Sequence, residues 1–172
     1  MKRHLVLVGL PGSGKSTVGR LVAAELRVGL HDIDKTIADE SGLSIADFFA
    51  TRGEADFRRL ERLATVAAFE GEPAVVVPGG GWAAQPGNME SVTGRATTVY
   101  LETAVATALS RLSGGETRPL LLGSDPTAAL HSMFVSRKPW YERCDYCVST
   151  DGKSAEQVAI EVAELARKCM SL

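Results

Sequence analysis

His4-Leu5-Val6-Leu7-Val8-Gly9-Leu10-Pro11-Gly12-Ser13-Gly14-Lys15-Ser16-Thr17 is the stretch on which the fold turns. Its first five residues are a short, partly β-branched apolar run stopped by Gly9, the pattern of a buried strand. From Lys15 to Leu26, Val18, Leu21, Val22 and Leu26 recur on one face of a helix. The segment joining the two fits G-x-x-x-x-G-K-[ST] in full. Glycines there let successive backbone N–H groups turn inward around phosphate oxygens, reinforced by the positive end of the helix. Gly12, Ser13, Gly14, Lys15, Ser16 and Thr17 are therefore candidates for holding a nucleoside triphosphate. In this pattern Lys15 reaches the β- and γ-phosphates and the Ser16 hydroxyl ligates Mg²⁺.

Working outward, apolar blocks alternate with polar ones. A second strand ends at His31-Asp32, and Phe48-Phe49 and then Glu54 to Phe69 read as helical. Ala74 to Val77 is a third strand, closed by Pro78-Gly79-Gly80-Gly81. Thr97 to Leu101 is a fourth strand, Val105 to Leu112 a helix, and Ser113 to Asp125 a polar, glycine-containing segment. A helix starts at Thr127, Tyr146 to Ser149 is a fifth strand, and Ala155 to Met170 is a closing helix. Such alternation predicts an α/β fold with a parallel sheet covered on both faces. Right-handed crossovers align the strand ends along one edge, so function is expected in the loops after the first three strands.

A length of 172 residues suits one domain, and 45% hydrophobic with 23% charged residues is a globular mixture. Lys plus Arg at 19 against Asp plus Glu at 21 supports neither a nucleic-acid surface nor a polybasic membrane anchor. No apolar run is long enough to span a bilayer, and no signal-peptide cleavage pattern follows the N-terminal residues. Three cysteines cannot all pair, which fits a reducing compartment, and a cytoplasmic location is expected. Cys144-x-x-Cys147 has no second pair or suitably spaced His beside it, so buried thiols are expected rather than a zinc site.

Many proteins with this phosphate loop hold Mg²⁺ partly through an Asp that closes a later strand. Here the third strand ends Val75-Val76-Val77-Pro78, without an acid. Asp32-Ile33-Asp34 is the nearest substitute, and two carboxylates two residues apart share a face while a strand stays extended. One then assists Mg²⁺ and the other faces an acceptor; alternatively, Asp34 caps a helix that starts at Lys35. Glu54, Arg58 and Glu61 fall at i, i+4 and i+7, where the acids can fix the Arg58 guanidinium for bidentate binding of a carboxylate. The same spacing also describes a solvated charged face. Three glycines at a strand's end let a ligand approach the backbone closely.

Taken together, the phosphate loop, Asp32-x-Asp34, Gly53-Glu54-x-x-Phe57-Arg58-x-x-Glu61, Gly79-Gly80-Gly81, Arg118-Pro119-Leu120 and Arg137 resemble the shikimate kinase family. Order and spacing agree from about Leu5 to Thr150. The resemblance implies a P-loop, nucleoside-monophosphate-kinase-like three-layer fold with a five-stranded parallel sheet in order 2-3-1-4-5. It implies a single kinase domain over residues 1–172, with an acceptor-binding segment at about 33–62 and a mobile lid at about 113–125. The implied reaction transfers the γ-phosphate of ATP to the 3-hydroxyl of shikimate, giving shikimate 3-phosphate and ADP, with Mg²⁺ as cofactor.

Residue by residue, the resemblance assigns catalysis to Asp34, as base and holder of the shikimate hydroxyls, with Lys15 and Arg118 around the migrating phosphoryl group. Arg58, Gly80 and Arg137 hold the acceptor, and Gly81, Glu61, Phe49 and Phe57 complete its pocket. Asp32 assists Mg²⁺ beside Ser16, Arg111 flanks the adenine, and Lys153 comes from the loop that partly resembles the adenine loop. Trp82 stands where the family usually carries a small residue, and an indole there is expected to narrow the pocket or change its acceptor. That residue motivates an alternative, a kinase for another small hydroxylated acid or sugar acid. A catalytically silent nucleotide-binding relative is a third reading. No nucleic-acid, membrane or protein partner is called for, and a monomer is expected.

Overall fold

The computed structural model describes residues 3–113 and 125–170. At its centre β1 (His4–Val8) is buried at every position. It pairs in parallel with β3 (Ala74–Val77) on one side and β4 (Ala96–Glu102) on the other. β2 (Gly29–Asp32) lies beyond β3 and β5 (Tyr146–Ser149) beyond β4, giving the expected order β2-β3-β1-β4-β5. Because neighbouring residues in a strand face opposite ways, β1 feeds two separate cores. Leu5 and Leu7 join Val75, Val77 and Val99 under α1 (Lys15–Leu26) and α7 (Ala155–Cys169). Val6 and Val8 join Val76 and Tyr100 on the opposite face. That face is covered by α2 (Ile33–Ser41), α3 (Ile45–Ala68), α5 (Val105–Leu112) and α6 (Pro126–Tyr141). Each strand side chain so buried contributes about 1.5–3 kcal/mol.

Several differences from the sequence reading have clear physical causes. α3 joins the two helical stretches read separately, and Gly53 marks the junction with φ 81° and ψ 169°, values that belong to no helix. α2 begins at Ile33, two residues before the helix read as an alternative from Lys35, and only Ile33 and Ile37 bury in it. Between β3 and β4 the chain makes a 3₁₀ turn at Trp82–Ala84 and a short α4 (Asn88–Ser91).

Trp82 does not enter the pocket. Its side chain is 1% exposed and belongs to the apolar core with Ala83 and Met89, while Asn88 Nδ2 donates to the Trp82 carbonyl at 2.9 Å. The expected buried thiols also need correction. β5 is an edge strand with one side uncovered, and Cys147 on it is exposed, whereas Cys144 and Cys169 are half-buried. Most of the expected lid, including Gly114, Gly115 and Arg118, lies outside the described residues. Among those described, no helix is long and apolar enough to cross a membrane.

Candidate active site

At the carboxyl end of β1 the chain turns into α1 through the phosphate loop. Gly14, with φ 87°, is the residue before the helix, and no acidic side chain occupies the first turn. The positive end of α1 is thus left to a ligand. Gly12 takes φ 81°, and a Cβ there would lie 2.4 Å from the Ala108 carbonyl oxygen. Only glycine fits that approach. Lys15 is buried under the loop, its Nζ donating to the Gly9 and Leu10 carbonyls at 2.9 Å each. Ser16 and Thr17 are exposed at the mouth. Ser13 Oγ is buried without a hydrogen-bond partner among the described residues.

Facing this loop is the acidic pair. β2 ends at Asp32, which is itself the N-cap of α2, its Oδ1 accepting a long 3.4 Å bond from the Lys35 N–H. Capping therefore falls to Asp32 and not to Asp34, and the pair does not share a continuous extended strand. Asp34 sits in the first turn of α2, where a carboxylate is favoured by the helix dipole. The strand-to-helix turn still brings both acids to one cleft of about 440 Å³, shared with Lys15, Ser16, Gly80 and Arg111.

Next to Asp34, but not lining this cleft, Arg58, Glu54 and Glu61 are locked to one another. Glu61 on α3 is fully buried; it accepts from Arg58 Nη1 at 2.8 Å and from the Gly79 N–H at 3.0 Å. Glu54 accepts from Arg58 Nε at 3.3 Å and Nη2 at 3.2 Å. The Arg58 side chain is only 14% exposed, so this is not a solvated charged face. Burial pushes the Glu61 carboxyl above its usual range; Arg58 opposes the rise, Asp34 adds to it, and the Gly79 N–H opposes it again. Burial disfavours the Arg58 charge, but Glu61 and Glu54 outweigh it and lift that pKa. A Cβ on Gly81 would lie 2.5 Å from Arg58 Nη2, so the glycine loop leaves room for the guanidinium. Phe57 is buried and Phe49 half-buried, their ring centroids 4.8 Å apart.

Arg137 lies half-buried on α6, four residues before Tyr141. Tyr141 is fully buried, and its hydroxyl donates to the Gly80 carbonyl. Burial pushes that hydroxyl up to about 12, while the charge and hydrogen bond of Arg137 pull the other way. Sequence reasoning missed Tyr141, although its i, i+4 relation to Arg137 was a usable signal.

On the other side of the phosphate loop, Arg111 on α5 donates from Nη1 to Thr150 Oγ1 at 3.2 Å and to the Ser13 carbonyl at 3.5 Å. Its Nη2 donates to the Thr150 carbonyl at 3.3 Å. Thr150 shares a buried 2.6 Å hydroxyl contact with Thr103. A smaller cleft of about 210 Å³ opens here, bordered by Thr17, Arg111, Thr150 and Lys153. Lys153 Nζ donates to Glu161 at 2.6 Å, so its charge is already partnered. Thr150 was also missed, and no sequence pattern marks it. Arg118 lies outside the described residues.

The shikimate kinase family profile matches residues 11–167. A shikimate kinase from Mycobacterium tuberculosis (strain ATCC 25177 / H37Ra) is 46% identical over 143 residues, which is 83% of this chain and 81% of that protein. One from Mycobacterium marinum is 45% identical over 83% of this chain and 77% of that protein. Among solved structures, shikimate kinase from Acinetobacter baumannii in complex with shikimate superposes with a TM-score of 0.91 at 31% identity. That match covers 98% of this chain and 94% of the other. Shikimate kinase from Aquifex aeolicus gives 0.80 at 30% identity, over 96% of both chains. A profile spanning nearly the whole sequence, together with almost half the residues shared with mycobacterial relatives, shows that the chain belongs to the shikimate kinase family.

Proposed function

We propose that this chain transfers the γ-phosphoryl group of ATP to the 3-hydroxyl of shikimate, giving shikimate 3-phosphate and ADP. The observation that carries the reading is the single cleft in which Lys15 and Ser16 face Asp34, with the locked Arg58–Glu61 pair and the Gly79–Gly81 loop beside it. Resemblance to an enzyme solved in complex with shikimate supports the choice of acceptor.

Phosphoryl transfer depends mainly on alignment and charge neutralisation. In this reading the phosphates lie on the backbone N–H groups of Gly12 to Ser16, and Lys15 leaves its carbonyl partners to meet the β/γ oxygens. Arg58 and Arg137 take the acceptor carboxylate, and Asp34 accepts the proton of the attacking hydroxyl. The new O–P bond forms as the bond from the γ-phosphorus to the β–γ bridging oxygen breaks, and ADP carries off that electron pair. Arg111 and Thr150 border the smaller cleft offered to the adenine.

The donors around the main cleft suit Mg²⁺. They are oxygens only, the Ser16 hydroxyl and the Asp32 carboxylate, and Mg²⁺ takes one or two protein oxygens while keeping waters and substrate phosphates. If bound there, held by Ser16 and Asp32, the ion would supply positive charge that offsets the charge of the phosphates. Trp82, the reason for considering another acceptor, is in the core. A cytoplasmic, monomeric enzyme completes the reading, and the three free thiols agree with a reducing compartment.

ADP release measured with Mg²⁺ and ATP, with and without shikimate, tests the proposal. Shikimate-dependent turnover is expected. Turnover only with a different polyol or hydroxy acid, or with no acceptor at all, would refute it.

A further inference from the structure

Tyr141 is a buried phenol whose place the phosphate chemistry does not explain. Its ring stacks on Tyr100 with centroids 5.1 Å apart and planes at 26°, which fixes where the hydroxyl points. That hydroxyl donates to the carbonyl of Gly80, a residue 61 positions away in sequence. Gly80 in turn is wedged against the phosphate loop, since a Cβ on it would fall 2.9 Å from Pro11 Cδ and 3.2 Å from the Gly9 carbonyl oxygen. One turn earlier on the same helix, the Arg137 guanidinium lies close enough to pull the Tyr141 hydroxyl's pKa down against burial. The phenol of α6 is therefore tied to the glycine loop, and through it to the phosphate loop, with Arg137 of the same helix beside it. A phenylalanine would fill the same space and stack on the same partner, so packing alone does not call for the oxygen.

We infer that Tyr141 is a positioning residue for the acceptor pocket, its hydroxyl fixing the Gly80 peptide against the phosphate loop and holding Arg137 beside it. Without the oxygen, the Gly80 carbonyl loses its donor and the Arg137 guanidinium loses a neighbouring oxygen on its own helix. The acceptor then binds to groups that must first be ordered, whereas the nucleotide site keeps its backbone cradle. The inference rests on the shikimate kinase reading for its kinetic readout, but not for its structural one.

Tyr141→Phe is the test. The expected result is an acceptor KM raised about tenfold, with ATP KM within about twofold and kcat within about threefold of the parent protein. In the Tyr141→Phe/Arg137→Ala double variant the two losses are expected to be less than additive, because the tyrosine acts partly through that arginine. Independently of any acceptor, the Arg137 guanidinium N–H signals in the NMR spectrum of the ligand-free protein should lose order in Tyr141→Phe. An unchanged acceptor KM, equal losses in both KM values, strict additivity, or a variant that fails to fold would each overturn the inference. If the parent protein shows no shikimate-dependent ADP release, the functional reading fails by itself. The Arg137 signal then decides alone, and an equally ordered guanidinium in both proteins overturns the positioning role.

Discussion

On the phosphate side of the cleft, the groups offered to a ligand are mostly main chain: the turn from Gly12 to Ser16, the open end of α1, and a lysine parked on carbonyls of its own loop. On the proposed acceptor side they are mostly side chains held by hydrogen bonds: Arg58 by Glu54 and Glu61 of its own helix, Glu61 by the Gly79 N–H from the loop after β3, and the Gly80 carbonyl by Tyr141 of α6. The first wall is set by local conformation and is sensitive to anything that fills its turns. The second depends on charge partners and is sensitive to losing any one of them. On the proposed reading, nucleotide binding and acceptor binding should thus be separable in substitutions.

The sharpest separation is expected from Asp34→Asn. It keeps the shape of α2's first turn but removes the base, so turnover should fall by about 10²–10⁴-fold while ATP affinity, measured by calorimetry, stays within about twofold. Substantial turnover in that variant would remove Asp34 from its role as base. Next comes one substitution made on each wall. Gly12→Ala meets a backbone oxygen at 2.4 Å from a left-handed φ. Overpacking of about 1–3 kcal/mol, with left-handed strain of about 1–2 kcal/mol more, should lower stability in denaturant titrations and weaken ATP binding. Gly81→Ala meets only the movable end of Arg58, at 2.5 Å. It should displace the guanidinium, raise the acceptor KM about tenfold and leave ATP affinity alone. If both alanines damaged ATP binding alike, the contrast between the walls would be wrong.

The smallest effect is a pH dependence confined to the acceptor wall. Folding raises the Glu61 pKa above its ordinary 4.5, so the folded chain holds that proton more tightly than the unfolded one. This contribution to stability is fully present below pH 4.5 and is lost as pH rises through the folded value. Urea titrations of the parent protein and Glu61→Gln across that window should therefore diverge in favour of Gln as pH rises. Parallel curves would show that Glu61 titrates alike in both states.

The same division explains what the residues told in advance. The phosphate loop, all five strands and α1 depend on neighbours in sequence, and their spacing spells them out. Asp32 and Asp34 were legible as a pair, but which one caps α2 depends on where β2 stops, a point set by its pairing with Val77. The fork of Glu54, Arg58 and Glu61 was legible as geometry, though its burial was not, because Gly79 comes from 18 residues further on. Arg111 meets the Ser13 carbonyl across 98 residues, and Tyr141 meets Gly80 across 61. Neither link has a local pattern. Trp82 was misjudged because the direction of a side chain in a three-residue turn follows tertiary packing and no periodicity.

The buried indole of Trp82 also makes the protein its own optical probe. It follows directly on Gly81 and is screened from water, so its fluorescence should emit at short wavelength and respond to small shifts of the glycine loop. The chain has one other tryptophan, Trp140, and replacing it with phenylalanine would leave a single native tryptophan next to the glycine against which Arg58 rests.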